Sequence, residues 1–222
     1  MLAELRKKHF VHTRILIPEK KMKIICIGRN YAEHIQELQN AIPENPVVFM
    51  KPNTALLKDN KPFFHPEWSS DIHYETELVL KISKQGKYIQ EKFAHKYYNE
   101  VGVGIDFTAR DLQSYQKAKG LPWEIAKAFD GSAVVGNFVS KDLLPSPIHF
   151  HLLLNGKKVQ DGNSSLMMYS FDKIISYVSQ FFTLQLGDLI FTGTPAGVGK
   201  IAIGDKLEGF IESQKMFECE VK

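Results

Sequence analysis

The chain has 222 residues, of which 44% are hydrophobic and 24% charged, the size and make-up of an ordinary globular protein of one domain or slightly more. No apolar run approaches the roughly 18 residues of a membrane helix, and the two cysteines, Cys26 and Cys219, match neither a zinc knuckle nor a disulfide framework, so a reducing compartment, the cytoplasm, is expected. The formal charge of +3 is unevenly spread: residues 1–21 hold six basic and two acidic side chains, leaving −1 for the body, which carries no nucleic-acid footprint.

Residues 1–21 read as a basic N-terminal extension. They lack the apolar stretch and small-residue cleavage site of a secretory signal, and Glu4, Glu19 and the absence of Ser set them apart from an Arg-rich transit segment. One folded domain is expected over residues 22–222. Lys23–Ile27 is a short apolar run ended by Gly28, a strand and a turn. Asn30 is placed to cap a helix through about Leu38, with Tyr31, Ile35 and Leu38 at helical spacing. Val47–Met50 reads as a strand stopped by Lys51-Pro52-Asn53. Glu75–Ile82 and Val101–Ala109 are longer strands, the second interrupted by Gly102 and Gly104. Arg110–Lys119 is a helix with Gly120 as its stop. His149–Leu154, Asn155-Gly156 and Lys157–Gln160 form a hairpin with a type I′ turn. Ser170–Phe182 is an amphipathic helix, and Asp188–Thr192, Lys206–Ile211 and Lys215–Val221 are closing strands. Many strands of mixed spacing with three modest helices predict a β-rich α+β domain.

Several side chains look costly where they stand. Glu75 and Glu77, two apart on a strand, point to one face, roughly 7 Å apart. Beside Leu78, Val79 and Leu80 that face is partly buried, and two carboxylates there need a compensating Lys, Arg or metal. The alternative is an edge strand whose glutamates face water. Asp106 follows Gly-Val-Gly-Ile on an otherwise uncharged strand, and either caps the next helix or joins the glutamates. Three converging carboxylates would make an all-oxygen site suited to Mg²⁺, Mn²⁺ or Ca²⁺. His34 and Glu37 share a helix face, as a histidine oriented by a carboxylate for general-base work or as an ordinary exposed pair. Lys127 is a cation among apolar residues, either snorkelling to the surface or held over an anionic substrate. Thr194–Lys200 imitates a phosphate loop, but Thr194 takes the place of the first glycine and Ile201 that of the Ser/Thr. His149 and His151 have no third partner nearby and read as hairpin surface.

Together these segments resemble the fumarylacetoacetate hydrolase superfamily, in its acylpyruvase and oxaloacetate decarboxylase branch. The resemblance is carried by Ile27–His34, Phe49–Pro52, His73–Leu78, Asp106–Gln113, Lys119–Lys127, Gly187-Asp188 and Phe191–Gly199, in unbroken order. It implies a mixed β-roll fold, a homodimer, and a Mg²⁺ (or Mn²⁺) ion held by Glu75, Glu77 and Asp106. It further implies a water-activating His34–Glu37 dyad on a lid, Lys127 and Gln113 against the substrate, and Arg29 and Thr194 as further contacts. The implied activity is metal-dependent cleavage of a C–C bond in acylpyruvates through a pyruvate enolate, with decarboxylation of oxaloacetate by the same route. Isomerisation or hydration of unsaturated oxo-acids, or a non-catalytic metal-binding role, are the alternatives. The implied partner is a small anionic oxo-acid, with neither nucleic acid nor membrane involved.

Overall fold

The computed structural model describes residues 22–39, 41–57 and 59–222, so expectations for residues 1–21 lie outside the described residues. Strand β1 (Ile24–Gly28) leads through helix α1 (Ala32–Glu37) to β2 (Val47–Lys51), which returns antiparallel to it. Short strands β3 (Leu56–Leu57) and β4 (Ile72–Tyr74) precede the long β5 (Thr76–Ile82) and β6 (Tyr98–Asp106), between which lies one turn of helix, α2 (Glu91–Ala94). Next come β7 (Thr108–Ala109), α3 (Arg110–Lys119), α4 (Glu124–Lys127) and β8 (Ala133–Ser140). The hairpin β9 (His149–Leu154) and β10 (Lys157–Asn163) is followed by α5 (Phe171–Phe181) and β11 (Leu189–Phe191). β12 (Gly199–Lys200), β13 (Lys206–Ile211) and β14 (Gln214–Glu220) close the chain.

These strands make a seven-stranded sheet in the order β2-β1-β11-β5-β6-β8-β3, a four-stranded sheet β10-β9-β13-β14, and a small sheet β12-β4-β7. The large sheet is mixed, with β1–β11 and β3–β8 parallel and its other pairs antiparallel. The four-stranded sheet packs on it where β13 and β14 meet β6 and β8, closing a β-roll. Strand alternation then divides the core. Ile25 and Ile27 of β1, Leu78 and Leu80 of β5, and Val101, Val103 and Ile105 of β6 fill the space between the sheets. The other face carries Ile24, Cys26, Val79, Phe191, Ala133 and Val135 as a second, smaller core.

That second face has a gap by design of its glycines. Gly102 and Gly104 of β6 lie opposite Val79 and Glu77. A Cβ on Gly104 would stand 2.3 Å from the Val134 carbonyl oxygen and 3.0 Å from the Phe191 ring. The missing side chain lets the Phe191 ring approach β6 closely and leaves the strand ends beyond it for polar groups.

Several sequence expectations are corrected. Asn30 does not cap α1, whose N-cap is Tyr31 without a side-chain bond. Asn30 is instead fully buried, donating to the carbonyls of Thr192 (2.7 Å) and Tyr169 (3.0 Å) and accepting from the Tyr169 amide (2.7 Å). Its tertiary bonds outweigh local capping. The stretch expected as one strand from Val101 to Ala109 starts earlier, at Tyr98, and breaks at Phe107 into β6 and β7. Helices α2 and α4, each a single turn, and strand β8 were not expected. As anticipated, α3 ends on Gly120, which is in the left-handed conformation (φ 64°). Helix α5 begins at Phe171, with Ser170 as a cap whose hydroxyl accepts from the Lys173 amide.

Gly104→Ala should lower stability by about 1–3 kcal/mol, because a methyl driven against backbone cannot be relieved by a rotamer change. Thermal melting should show a fall of several degrees, and an unchanged melting temperature would mean that β6 has slack here.

Candidate active site

The sheet register brings the three carboxylates together. Glu77 lies opposite Gly104, and the same register places Glu75 opposite Asp106, whose amide donates to the Glu75 carbonyl at 2.8 Å. Directly opposed residues of an antiparallel pair share a face, so Glu75, Glu77 and Asp106 all project where the glycines leave room. Each is at least 95% buried, and one oxygen of each lies within 4.8 Å of the others. The edge-strand alternative for the glutamates and the capping alternative for Asp106 are thereby set aside.

Three cations answer them. Lys127, at the end of α4, bridges Glu75 Oε2 and Asp106 Oδ2 at 2.7 Å each. Lys51, at the end of β2, reaches Asp106 Oδ1 at 2.7 Å and is also bonded to Ser132 and to the Lys127 carbonyl. Arg110, at the start of α3, donates to Glu75 Oε1 (2.5 Å) and to Gln113 Oε1 (2.6 Å). Lys127 is therefore no snorkelling surface lysine: it is buried in the wall of the pocket. Lys51 and Arg110 were not picked out as site residues from the sequence. The signal for both is faint: a lysine closing an apolar strand before proline, and an arginine four residues after Asp106.

Glu77 differs from its neighbours. Its Oε2 accepts the Gly193 amide at 2.7 Å, and no cation pairs with it among the described residues. Burial, and then the Asp106 charge, push its carboxyl well above the usual range. Burial also pushes Glu75 up, but the Lys127 and Arg110 cations outweigh it and hold that carboxyl well below its ordinary value. For Lys127, burial works against the charge while Asp106 and Glu75 raise its pKa. Asp106 Oδ1 has the Lys51 ammonium close by yet makes no aligned hydrogen bond. A carboxylate lacking a cation and a buried oxygen with an unused lone pair fit a divalent ion. So does the spacing, since an ion bound at roughly 2.0–2.6 Å holds oxygens up to about 5 Å apart. All three donors are hard oxygens, which suits Mg²⁺, Mn²⁺ or Ca²⁺ better than zinc.

The other expected residues gather round the same pocket, which is lined by Arg29, His34, Gln113, Thr194 and the carboxylates. His34 is buried on α1, and its Nδ1 shares a hydrogen bond with Glu37 Oε2 at 3.1 Å. Glu37 Oε1 accepts the Gly197 amide at 3.0 Å, which ties the helix to the glycine-rich loop after β11. Thr194 is held from behind by Gln160, a buried residue that sequence reading missed. Its amide nitrogen donates to Thr194 Oγ1 (2.8 Å) and the Pro195 carbonyl (3.0 Å), while its oxygen accepts the Thr76 amide (2.8 Å). Gln160 thus joins the start of β5 to the loop after β11. His149 and His151 stand apart from the site, with the His151 ring stacked on Phe210 (4.7 Å, 3°).

The mixed β-roll agrees with the fold of the fumarylacetoacetate hydrolase family: a protein of Yersinia pestis assigned to that family superposes with a TM-score of 0.87 at 37% identity, covering 90% of this chain and 93% of that one. Residues 23–222 match the fumarylacetoacetate (FAA) hydrolase C-terminal family, and the chain belongs to it. It is 41% identical over 201 residues to the mitochondrial oxaloacetate tautomerase FAHD1 of Mus musculus, covering 90% of this chain and 91% of that one. It is 39% identical over 188 residues to the oxaloacetate tautomerase YcgM of Escherichia coli, covering 83% and 86%. Among solved structures, the fumarylpyruvate hydrolase of Pseudomonas aeruginosa, in complex with Mn²⁺ and pyruvate, superposes with a TM-score of 0.84 at 35% identity, covering 90% of this chain and 88% of that one.

Adding Mn²⁺ or Mg²⁺ should raise the melting temperature, because an ion that binds only the folded state stabilises it by about 2.7 kcal/mol at one hundred times its dissociation constant. Glu77→Gln should lose most of that shift. A full shift in the variant would place the ion elsewhere.

Proposed function

We propose that the chain is a divalent-metal-dependent enzyme that hydrolyses acylpyruvates, 2,4-dioxo acids, at the C3–C4 bond. The observation that carries this reading is a carboxylate-oriented histidine opening on the same pocket as the acidic triad. An ion held by Glu75, Glu77 and Asp106 would supply a Lewis acid for the 2-oxo oxygen. Counted as ionised, the three carboxylates and the three cations Lys51, Arg110 and Lys127 balance at zero. A divalent ion leaves this cluster at +2, and Arg29 and Lys117 also line the pocket, so an anionic oxo-acid is the complementary ligand.

The chain's own groups do the rest. Arg110 and Gln113 face the pocket as donors for the substrate carboxylate. His34, with Nδ1 engaged by Glu37, takes a proton from water through Nε2, and the hydroxide adds to the C4 ketone. The C3–C4 bond then breaks, its electron pair passing to the pyruvate half as an enolate, while the acyl half leaves as a carboxylic acid. Lys127 lies beside the developing charge, and the proton taken by His34 goes to C3. Arg29 and Thr194 are further substrate contacts in this scheme.

A second reading is favoured by the relatives named oxaloacetate tautomerase. Oxaloacetate has the same 2-oxo acid with a second carbonyl carbon at C4. Here His34 would move a proton between C3 and the 2-oxo oxygen, with no water consumed; loss of CO₂ from C4 would yield the same enolate. We further infer Mg²⁺ as the working ion, a homodimer, and a cytoplasmic setting, the last supported by two buried, unpaired thiols. No helix among the described residues is long and apolar enough to cross a membrane. The chemistry draws on residues 22–222, so expression from Met22 should leave turnover nearly unchanged.

His34→Ala should cut acylpyruvate hydrolysis by roughly 10²–10⁴, while sparing more of any oxaloacetate decarboxylation. Acetylpyruvate consumption, CO₂ release and the enol absorbance of oxaloacetate measure the three reactions separately. Equal losses in all three would show that His34 serves a shared proton transfer or lid closure. Tautomerisation much faster than hydrolysis in the wild type would favour the second reading.

A further inference from the structure

Beyond the charged pocket lies a second chamber that the reaction scheme does not use. It has a volume of about 260 Å³ and is lined by Val48, Met50, Leu121 and Pro122, with Glu124 as its acidic group. The two chambers share Phe49, Trp123 and Lys127 as walls. The Phe49 and Trp123 rings stand 6.0 Å apart, tilted 58°, and the Lys127 ammonium lies 5.2 Å from the Phe49 ring centroid. The inner chamber is thus lined by charge and the outer one by hydrocarbon, with an aromatic pair at the divide.

We propose that the outer chamber receives the acyl tail of the substrate, and that it selects an unbranched apolar chain over one ending in a carboxylate. This rests on the hydrolase reading above. Once the carboxylate and 2-oxo group are placed among the cations and C4 near His34, the acyl tail is the part left over. Methylenes gain nothing beside buried carboxylates but gain burial against Val48, Met50, Leu121 and the two rings. The volume equals that of roughly eight or nine waters of liquid, room for a tail of about four to six carbons with side-chain clearance. A tail ending in a carboxylate would meet Glu124, while Lys127, the cation on the shared wall, is already committed to Glu75 and Asp106. Leu121 and Glu124 are therefore specificity-determining residues of this chamber.

The test uses the full chain with Mg²⁺. First, kcat/KM is measured for acetyl-, butanoyl-, hexanoyl- and fumarylpyruvate; second, calorimetry measures binding of pyruvate, 2-oxohexanoate and 2-oxooctanoate. Both should improve by about fourfold per added methylene until the chamber is full. Leu121→Trp, at a half-exposed loop position, should cut the hexanoyl-to-acetyl ratio about tenfold or more, because a single methylene's misfit is worth 10–200-fold. Glu124→Lys should raise the fumaryl-to-butanoyl ratio. Hydrolysis of acetylpyruvate without gain along either series, or a gain that Leu121→Trp leaves intact, overturns the chamber's role and leaves the hydrolase reading standing. Binding that tightens with length and is weakened by Leu121→Trp, in a protein that hydrolyses no acylpyruvate, supports the chamber and overturns the reaction.

Discussion

The structure turns on the burial of three carboxylates on one sheet face. Removing such charges from water costs several kcal/mol each even after relaxation, and only close, well-made pairing recovers it. Lys51, Arg110 and Lys127 come from three different elements, the end of β2, the start of α3 and the end of α4, and each meets the triad there. The connections around the site are arranged to deliver these ammonium and guanidinium groups. Helix α4 is one turn long, too short to stand by itself, and is fixed by the Lys127 side chain and the bonds its carbonyl accepts from Ser132 and Lys51. Loss of one partner would leave a buried charge unmatched, a defect worth about 3–5 kcal/mol, so this cluster is both the site and a fastening of the fold.

Around it, backbone geometry does what side chains cannot. Gly104 brings Phe191 against β6. Gly193, at φ 102°, sits where a Cβ would lie 2.6 Å from Asn30 Cβ, and it points its amide at Glu77. Asn30 and Gln160 are uncharged, fully buried side chains, each bonded to backbone from distant segments. They hold the segment leading into α1, the loop after β11 and the start of β5 in one frame. The His34–Glu37 pair hangs on that frame at one point more, the Gly197 amide, so the dyad's position is set by the same loop that steadies Glu77.

How much of this the sequence disclosed depends on the kind of signal. The β-branched runs and the Asn-Gly turn made most of the strands legible, because alternation and turn chemistry act locally. The triad was legible because charge on a buried strand is costly wherever it occurs, and the resemblance supplied its partners. Asn30 misled because an asparagine before a helix has a good local use, and only the fold shows that Thr192 and Tyr169 claim it. Lys51, Arg110 and Gln160 stayed hidden for the same reason: a lone lysine, arginine or glutamine carries no sign of burial until tertiary contacts are known. Strand β8 escaped because Gly136 and Asn137 interrupt its apolar run, and what pairs it is β6 rather than its own propensity.

The division between an inner polar chamber and an outer apolar one bears on how a single site can suit several oxo-acids. Every candidate reaction begins from the same 2-oxo carboxylate and passes negative charge toward the same cations, so the inner chamber has no reason to distinguish them. What differs is beyond C3: a carboxylate in oxaloacetate, a ketone with a tail in an acylpyruvate. A small dianion is satisfied by charge alone and leaves the outer chamber unused. An acylpyruvate carries one charge fewer and must recover that binding elsewhere, and hydrocarbon contact is what Val48, Met50 and Leu121 offer. The choice of reaction then follows from which carbon the substrate presents to His34 and whether water can stand between them. In the proposed scheme the walls beyond Phe49 and Trp123 act on acylpyruvates alone, while the carboxylates that hold the centre together serve every case alike.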